Sequence, residues 1–132
     1  MGRFKIKAIN DIEIELISSN YIDVFKTLIK VFNYLVARPK KKTIMKQLSI
    51  KYENYESLII DFFNELIYLF ETENFLPLSG DFKIEKNCLI AKLKGGILGA
   101  KQHVRYVLKS ATHHNFVFNE GKKIFVKFLV DI

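Results

Sequence analysis

Residues 54–73, NYESLIIDFFNELIYLFETE, constrain the fold of this chain more than any other segment. At helical spacing they carry two adjacent apolar stripes, and Ile60 adds an apolar side chain on a further side. The stripes are Leu58, Phe62, Leu66 and Leu69, and Ile59, Phe63, Ile67 and Phe70. An ordinary surface helix has an apolar arc of about 100°, and this arc is wider. We therefore predict a core helix, capped by Asn54, that other elements cover.

The composition is that of a folded globular chain. Of its 132 residues, 49% are hydrophobic and 27% are charged, so we expect one domain spanning residues 1–132. The lone Cys88 cannot form an intramolecular disulfide. No signal-peptide pattern opens the chain, and no apolar run approaches the ~20 residues that a membrane span needs. We expect a soluble, cytoplasmic protein that does not associate with membranes.

The charge balance is basic, with 21 Lys and Arg against 14 Asp and Glu and a formal net charge of +7. This excess permits a polyanionic partner without naming one. Arg38 and the lysines at 40–42 surround Pro39, where a predicted helix ends. This cluster favours a solvated connector near the negative end of a helix dipole, and a phosphate-contacting patch is the alternative.

The remaining pattern predicts one more helix and several strands. Period-two alternation over residues 4–16 predicts two short strands, separated by a break at Asn10 and Asp11. We predict a helix over 21–36, capped by residues 18–20. Further strands are predicted over 43–52, from Phe82, over 89–93, 104–118 and 124–132, with turns at 85–87 and 120–122 and a glycine loop over 95–103. This order favours an α+β fold, with antiparallel sheet packed on two helices.

The polar residues near the end of the chain do not form a recognisable catalytic set. On a strand, His113 and His114 point to opposite faces, so the pair cannot chelate one ion. Ser110, Thr112 and His114 share a face, which brings a hydroxyl and a base together, but no acidic residue that would orient the base is visible. A small metal-dependent hydrolase therefore remains only an alternative.

Four segments carry a resemblance to the archease family. Residues 58–73, LIIDFFNELIYLFETE, resemble its helix signature L-x-x-x-x-L-N-E-L-x-Y-L-F-[DE]-T-E. Residues 109–114, KSATHH, are similar to K-A-x-T-Y-H, and residues 130–132, VDI, are similar to its terminal V/L-D-I/V. Residues 89–95 followed by His103 are similar to its A-x-x-x-G segment and the His near the end of the loop.

The first family motif, H-T-A-D-I/V-G, is retained only in part, which indicates a divergent member. Ala8, Ile9 and Asn10 stand where the family has His-Thr-Ala, and Glu13 stands where it has Gly. Asp11 is retained. In the later motif, His113 replaces the family's Tyr.

The resemblance implies an accessory protein rather than an enzyme. Archeases assist the RtcB-type RNA ligase, which joins tRNA exon halves and repairs broken RNA. They promote guanylylation of the ligase histidine and multiple turnover. A basic RNA-binding module that acts without a ligase is the alternative function.

The resemblance also implies a cation site. Its ligands would be Asp11, Asp131 and the terminal α-carboxylate of Ile132, and such hard oxygen donors suit Ca²⁺ or Mg²⁺. Lys109 would contact the ligase or a nucleotide phosphate. Thr112 and His114 would support the site through hydrogen bonds.

Overall fold

The computed structural model describes residues 2–132, whose strands form two antiparallel sheets. One sheet has the order β1-β2-β7-β6, and the other has the order β3-β5-β4. In chain order the elements are β1 (Arg3–Ala8), β2 (Ile12–Ser18), α1 (Tyr21–Leu35), β3 (Ile44–Lys51), α2 (Tyr55–Glu73), β4 (Phe75–Glu85), β5 (Cys88–Ile97), β6 (Ser110–Glu120) and β7 (Ile124–Asp131). The predicted α+β class is confirmed.

Both helices lie between the two sheets. Helix α1 packs on β2 and β4, and helix α2 packs on β6 on one side and on β3 and β4 on the other. From α2, the ring of Phe63 meets Phe128 of β7 edge-on at 5.5 Å, and Phe62 meets Phe82 of β4 at 5.6 Å. A helix covered by two sheets needs apolar side chains on several faces, which explains the wide apolar arc of α2.

Asparagine side chains begin both helices, as the sequence predicts. The Asn20 side chain accepts a hydrogen bond from the Asp23 N–H at 2.9 Å, and Asn54 accepts one from the Ser57 N–H at 2.8 Å. Each bond satisfies one of the backbone donors left free in a first helical turn. Helix α2 ends at Asn74, whose φ of 55° is in the left-handed region.

One strand of the second sheet begins earlier than predicted. Strand β4 starts at Phe75 rather than Phe82, and a register shift between Pro77 and Ser79 lets the pairing continue past the proline. Gly95, predicted to lie in a loop, is part of β5. A Cβ added there would lie 2.0 Å from the Leu76 carbonyl oxygen, so the glycine permits a close approach of two backbones.

Strand β6 begins later than predicted, at Ser110 rather than Val104. In the preceding segment the N–H groups of Arg105 and Tyr106 donate to the Val36 and Leu35 carbonyls, at 3.0 and 2.9 Å. The end of α1 therefore satisfies backbone groups that a strand would otherwise pair.

The regular alternation assumed around His113 and His114 was also wrong. The pairing of β6 with β7 jumps from Thr112 to Val117, and Asn115 has a φ of 55°. Both histidines therefore lie in a bulge.

Candidate functional site

Strand register brings Asp11 and Asp131 to the same end of the four-stranded sheet. Ile12 of β2 pairs with Val130 of β7, so Asp11, just before β2, and Asp131, the last residue of β7, are the next residues outward. Val130 is buried in the core, and Asp131 is half-buried. Because successive side chains of a strand alternate, Asp131 faces the outer side of the sheet.

Asp11 lies in a short turn rather than in the ladder. Ala8 pairs with Ile12, which leaves three residues in the loop between β1 and β2, and the Ile9 N–H donates to the Asp11 carbonyl at 3.2 Å. Ile9 is 74% exposed and Asn10 is exposed, so the change from the family's His-Thr-Ala alters a surface and not the core. Asp11 borders a shallow depression lined by Lys7, Ile9, Asn10, Glu13 and Leu129.

Strand β6 brings a third segment to this end of the sheet. Ser110 pairs with Asp131, and the Lys109 N–H donates to the Asp131 carbonyl at 2.8 Å. Lys109 itself is exposed. A backbone hydrogen bond thus links Lys109, predicted to contact a partner, to Asp131, a predicted cation ligand.

Thr112 and His114 are farther from the carboxylates along β6. Thr112 pairs with Leu129, two residues inward from Asp131, and His114 is exposed in the bulge. Within residues 2–132, neither side chain forms a hydrogen bond with another residue. Their supporting role remains a prediction.

Asn64 is a positioning residue whose role the sequence did not indicate. Its side-chain oxygen accepts a hydrogen bond from the Ala111 N–H at 2.7 Å, and its Nδ2 donates to the Ala111 carbonyl at 3.2 Å. Because β6 is an edge strand, this amide takes the place of a neighbouring strand. The one available signal is the Asn of the Asn-Glu-Leu in the helix signature, an amide within the predicted core helix.

The donor set at this end of the sheet suits a hard cation. Asp11 and Asp131 contribute carboxylate oxygens, which Ca²⁺ and Mg²⁺ prefer. In the described part of the chain, no three His, Cys, Asp or Glu side chains are grouped so that they could hold a metal ion. The family resemblance adds the α-carboxylate of Ile132, the residue after Asp131, as a third ligand, and this ligand set remains a prediction.

The profile of the archease protein family (MTH1598/TM1083) matches residues 5–132, nearly the whole length of the chain. The chain belongs to the archease family. A search of curated proteins finds no match at the significance threshold.

Two solved structures share the fold of this archease. The solution structure of protein 1598 from Methanobacterium thermoautotrophicum has a TM-score of 0.79 and 18% sequence identity, over 99% of this chain and 98% of that one. The crystal structure of an archease from Thermotoga maritima, described as a possible chaperone, has a TM-score of 0.69 and 20% identity. That alignment covers 98% of this archease and 97% of the other chain.

Proposed function

We propose that this archease is a non-catalytic accessory protein that activates an RtcB-type RNA ligase in tRNA splicing and RNA repair. The observation that supports the proposal is the register that gathers Asp11, Asp131 and Lys109 at one end of the four-stranded sheet. A partner that binds there would meet carboxylates and an exposed ammonium together. Family membership over residues 5–132 supports the same function.

In this proposal, Asp11, Asp131 and the α-carboxylate of Ile132 hold a divalent cation, Ca²⁺ or Mg²⁺. The bound cation supplies positive charge that offsets the repulsion among the three carboxylates. As a ligand, Asp11 would connect the β1–β2 turn to the cation. Asp131 and Ile132 would connect the end of β7 to the same cation. Together these ligands present one ordered surface to the ligase.

Lys109 contacts the ligase or the phosphate of its nucleotide. Its backbone N–H is bonded to Asp131, so the chain is fixed beside the ligands while the ammonium remains exposed. An ammonium can pair with a phosphate or with a carboxylate of the partner. We also propose that Thr112 and His114 brace the neighbouring segment through hydrogen bonds.

Ligase turnover at substoichiometric ligase, measured with and without this protein, tests the proposal. Wild-type archease should convert a single round of joining into multiple rounds. Extending the C-terminus by a few residues converts the Ile132 carboxylate into an amide, so Ca²⁺ affinity measured by calorimetry and ligase activation should both fall. The Asp11→Asn variant should behave in the same way.

The Lys109→Ala variant distinguishes contact with the ligase or its nucleotide from cation binding. It should retain the Ca²⁺ affinity and melting temperature of the wild-type protein while losing activation, because Lys109 is exposed and donates no ligand oxygen. Lys5→Ala, on the exposed edge strand β1, is the matched control and should activate normally. Normal activation by the extended protein would remove Ile132 from the site, and absence of activation by the wild-type protein would refute the proposed function.

A further inference from the structure

The basic residues of this chain are concentrated in two segments that contain no acidic residue. Residues 24–52 and 86–119 together carry fourteen Lys and Arg and no Asp or Glu. The rest of the chain carries the other seven Lys and Arg and all fourteen Asp and Glu. The net charge of +7 therefore combines a strongly basic portion with an acidic one.

The fold joins these two segments. Strand β3 pairs with β5 along its whole length, from Ile44 opposite Gly95 to Lys51 opposite Cys88. Beyond the sheet, the Gln102 side chain donates to the Arg38 carbonyl at 2.8 Å, and the Arg105 N–H donates to the Val36 carbonyl. The two acid-free segments thus contact each other both within the sheet and beyond it.

Half of the residues in the connector between α1 and β3, residues 36–43, are exposed cations. Arg38 and the lysines at 40–42 are exposed, and Pro39 between them is buried. A Cβ added to Gly96 would lie 2.4 Å from the Lys41 carbonyl oxygen, so β5 packs directly against this connector. The backbone is held in place while the charges point into solvent.

Further cations flank the connector on both sides. Lys94 is exposed and lies opposite Met45 in the sheet, close to where the connector ends, and Lys101 is exposed beside Gln102. Among the described residues, the ion pairs involve Lys46, Lys83 and Lys127, and none of these flanking or connector cations. We call Arg38, Lys40, Lys41, Lys42, Lys94 and Lys101 the basic surface.

We propose that the basic surface binds the phosphodiester backbone of a nucleic acid, independently of any ligase. Phosphate contacts are made chiefly by Lys and Arg, and they supply affinity without reading sequence. Protein–protein interfaces are instead depleted of Lys and centred on apolar or aromatic residues. Next to this surface, the Arg105 guanidinium lies 4.4 Å from the ring centre of Tyr34, which adds a flat cationic group that a base can stack on.

Fluorescence anisotropy with a labelled single-stranded oligouridine tests this proposal without ligase. Affinity should fall steeply with salt between about 50 and 200 mM, and a DNA oligomer of matching length should bind similarly. The triple variant K40Q/K41Q/K42Q should weaken binding about tenfold or more and reduce the salt slope by about 2, since each lost single-strand phosphate contact removes about 0.7.

The control variant K5Q/K122Q/K123Q also removes three positive charges, but from exposed positions outside the acid-free segments. It should bind oligouridine like the wild-type protein. A second variant, K94Q/K101Q, tests other residues of the basic surface and should also weaken binding. It replaces the triple variant as the test if that variant proves unstable. Equal weakening by the control would overturn the proposal. So would tighter binding of anionic phosphatidylserine vesicles or polyglutamate than of oligouridine at the same salt concentration.

Discussion

At the scale of single residues, Asn64 shows how one amide can position a strand. Both backbone groups of Ala111 bond to it, and Ala111 is 5% exposed. Lys109 and Ser110, at the candidate cation site, immediately precede Ala111 in the chain. The core helix thus fixes the location of this segment.

Asn64→Ala should lower the free energy of unfolding by about 1–3 kcal/mol, because it leaves the nearly buried N–H and carbonyl of Ala111 without partners. Alanine's better helix propensity offsets part of this loss. Urea unfolding measures the change, and amide hydrogen exchange at Ala111 should become faster. Asn119→Ala, at an exposed position of β6, is the control and should change neither quantity. Unchanged exchange at Ala111 in the Asn64 variant would contradict the positioning role.

Tyr21 and Tyr55 are the first residues of the two helices, and their rings stack at 3.7 Å. Burial raises the pKa of Tyr21 above its ordinary value, and the hydrogen bond from its hydroxyl to the Glu120 carboxylate raises it further. Burial and a hydrogen bond with Tyr52 raise the pKa of Tyr55. The fold therefore favours the neutral phenols.

A raised folded-state pKa stabilises the protein below the unfolded-state value of about 10, and this contribution is lost as the pH rises above it. Between about pH 9 and pH 11, the unfolding free energy of the wild-type protein should therefore fall relative to that of the Tyr21→Phe protein. Urea unfolding at both pH values measures it. Tyr68→Phe, at an exposed position, should show no such shift. A pH-independent difference for Tyr21→Phe would refute the coupling.

At the scale of elements, the second sheet depends on glycine at one crossing point. Gly95 lies opposite Pro77, where the register of β4 with β5 shifts. The Leu76 carbonyl occupies the space that a side chain at position 95 would need. The bulge and the glycine together allow β4 to pair along its full length despite its proline.

Gly95→Ala should destabilise the protein by about 1–3 kcal/mol, because the contact is with backbone and cannot be relieved by moving a side chain. Thermal and urea unfolding measure this loss. Gly121→Ala is the control: nothing lies within 4 Å of a Cβ there, so its stability should match the wild type. Equal stability of the two variants would show that the β4 and β5 backbones can move apart at position 95 with little loss of unfolding free energy.

At the scale of the whole molecule, the two sheets carry different chemistry. The four-stranded sheet ends in the candidate cation site, and the basic surface borders the three-stranded sheet and the end of α1. No helix among residues 2–132 is long and apolar enough to cross a membrane. Because the two sites use different residues, cation binding and nucleic-acid binding can be tested in separate variants.

The sequence by itself determined the elements whose signals are local. The wide apolar arc of α2, the asparagine caps, the break at Asn10 and Asp11, and the alternation of β7 all follow from residues close together in the chain. The family motifs selected Asp11 and Asp131 as candidate ligands. Only the tertiary structure showed that these two residues lie at the same end of the sheet, because strand register depends on which strands pair and not on either strand alone.

Tertiary structure also decided where β4 and β6 begin. Residues 104–109 have the composition of a strand, yet the end of α1 takes the backbone hydrogen bonds of Arg105 and Tyr106. Proline and glycine in residues 77–80 indicate a loop, yet a bulge keeps this segment paired with β5. In both places the competing partner is far away in sequence, so no local pattern could reveal it. The same reason hid the role of Asn64, whose partner Ala111 is 47 residues away.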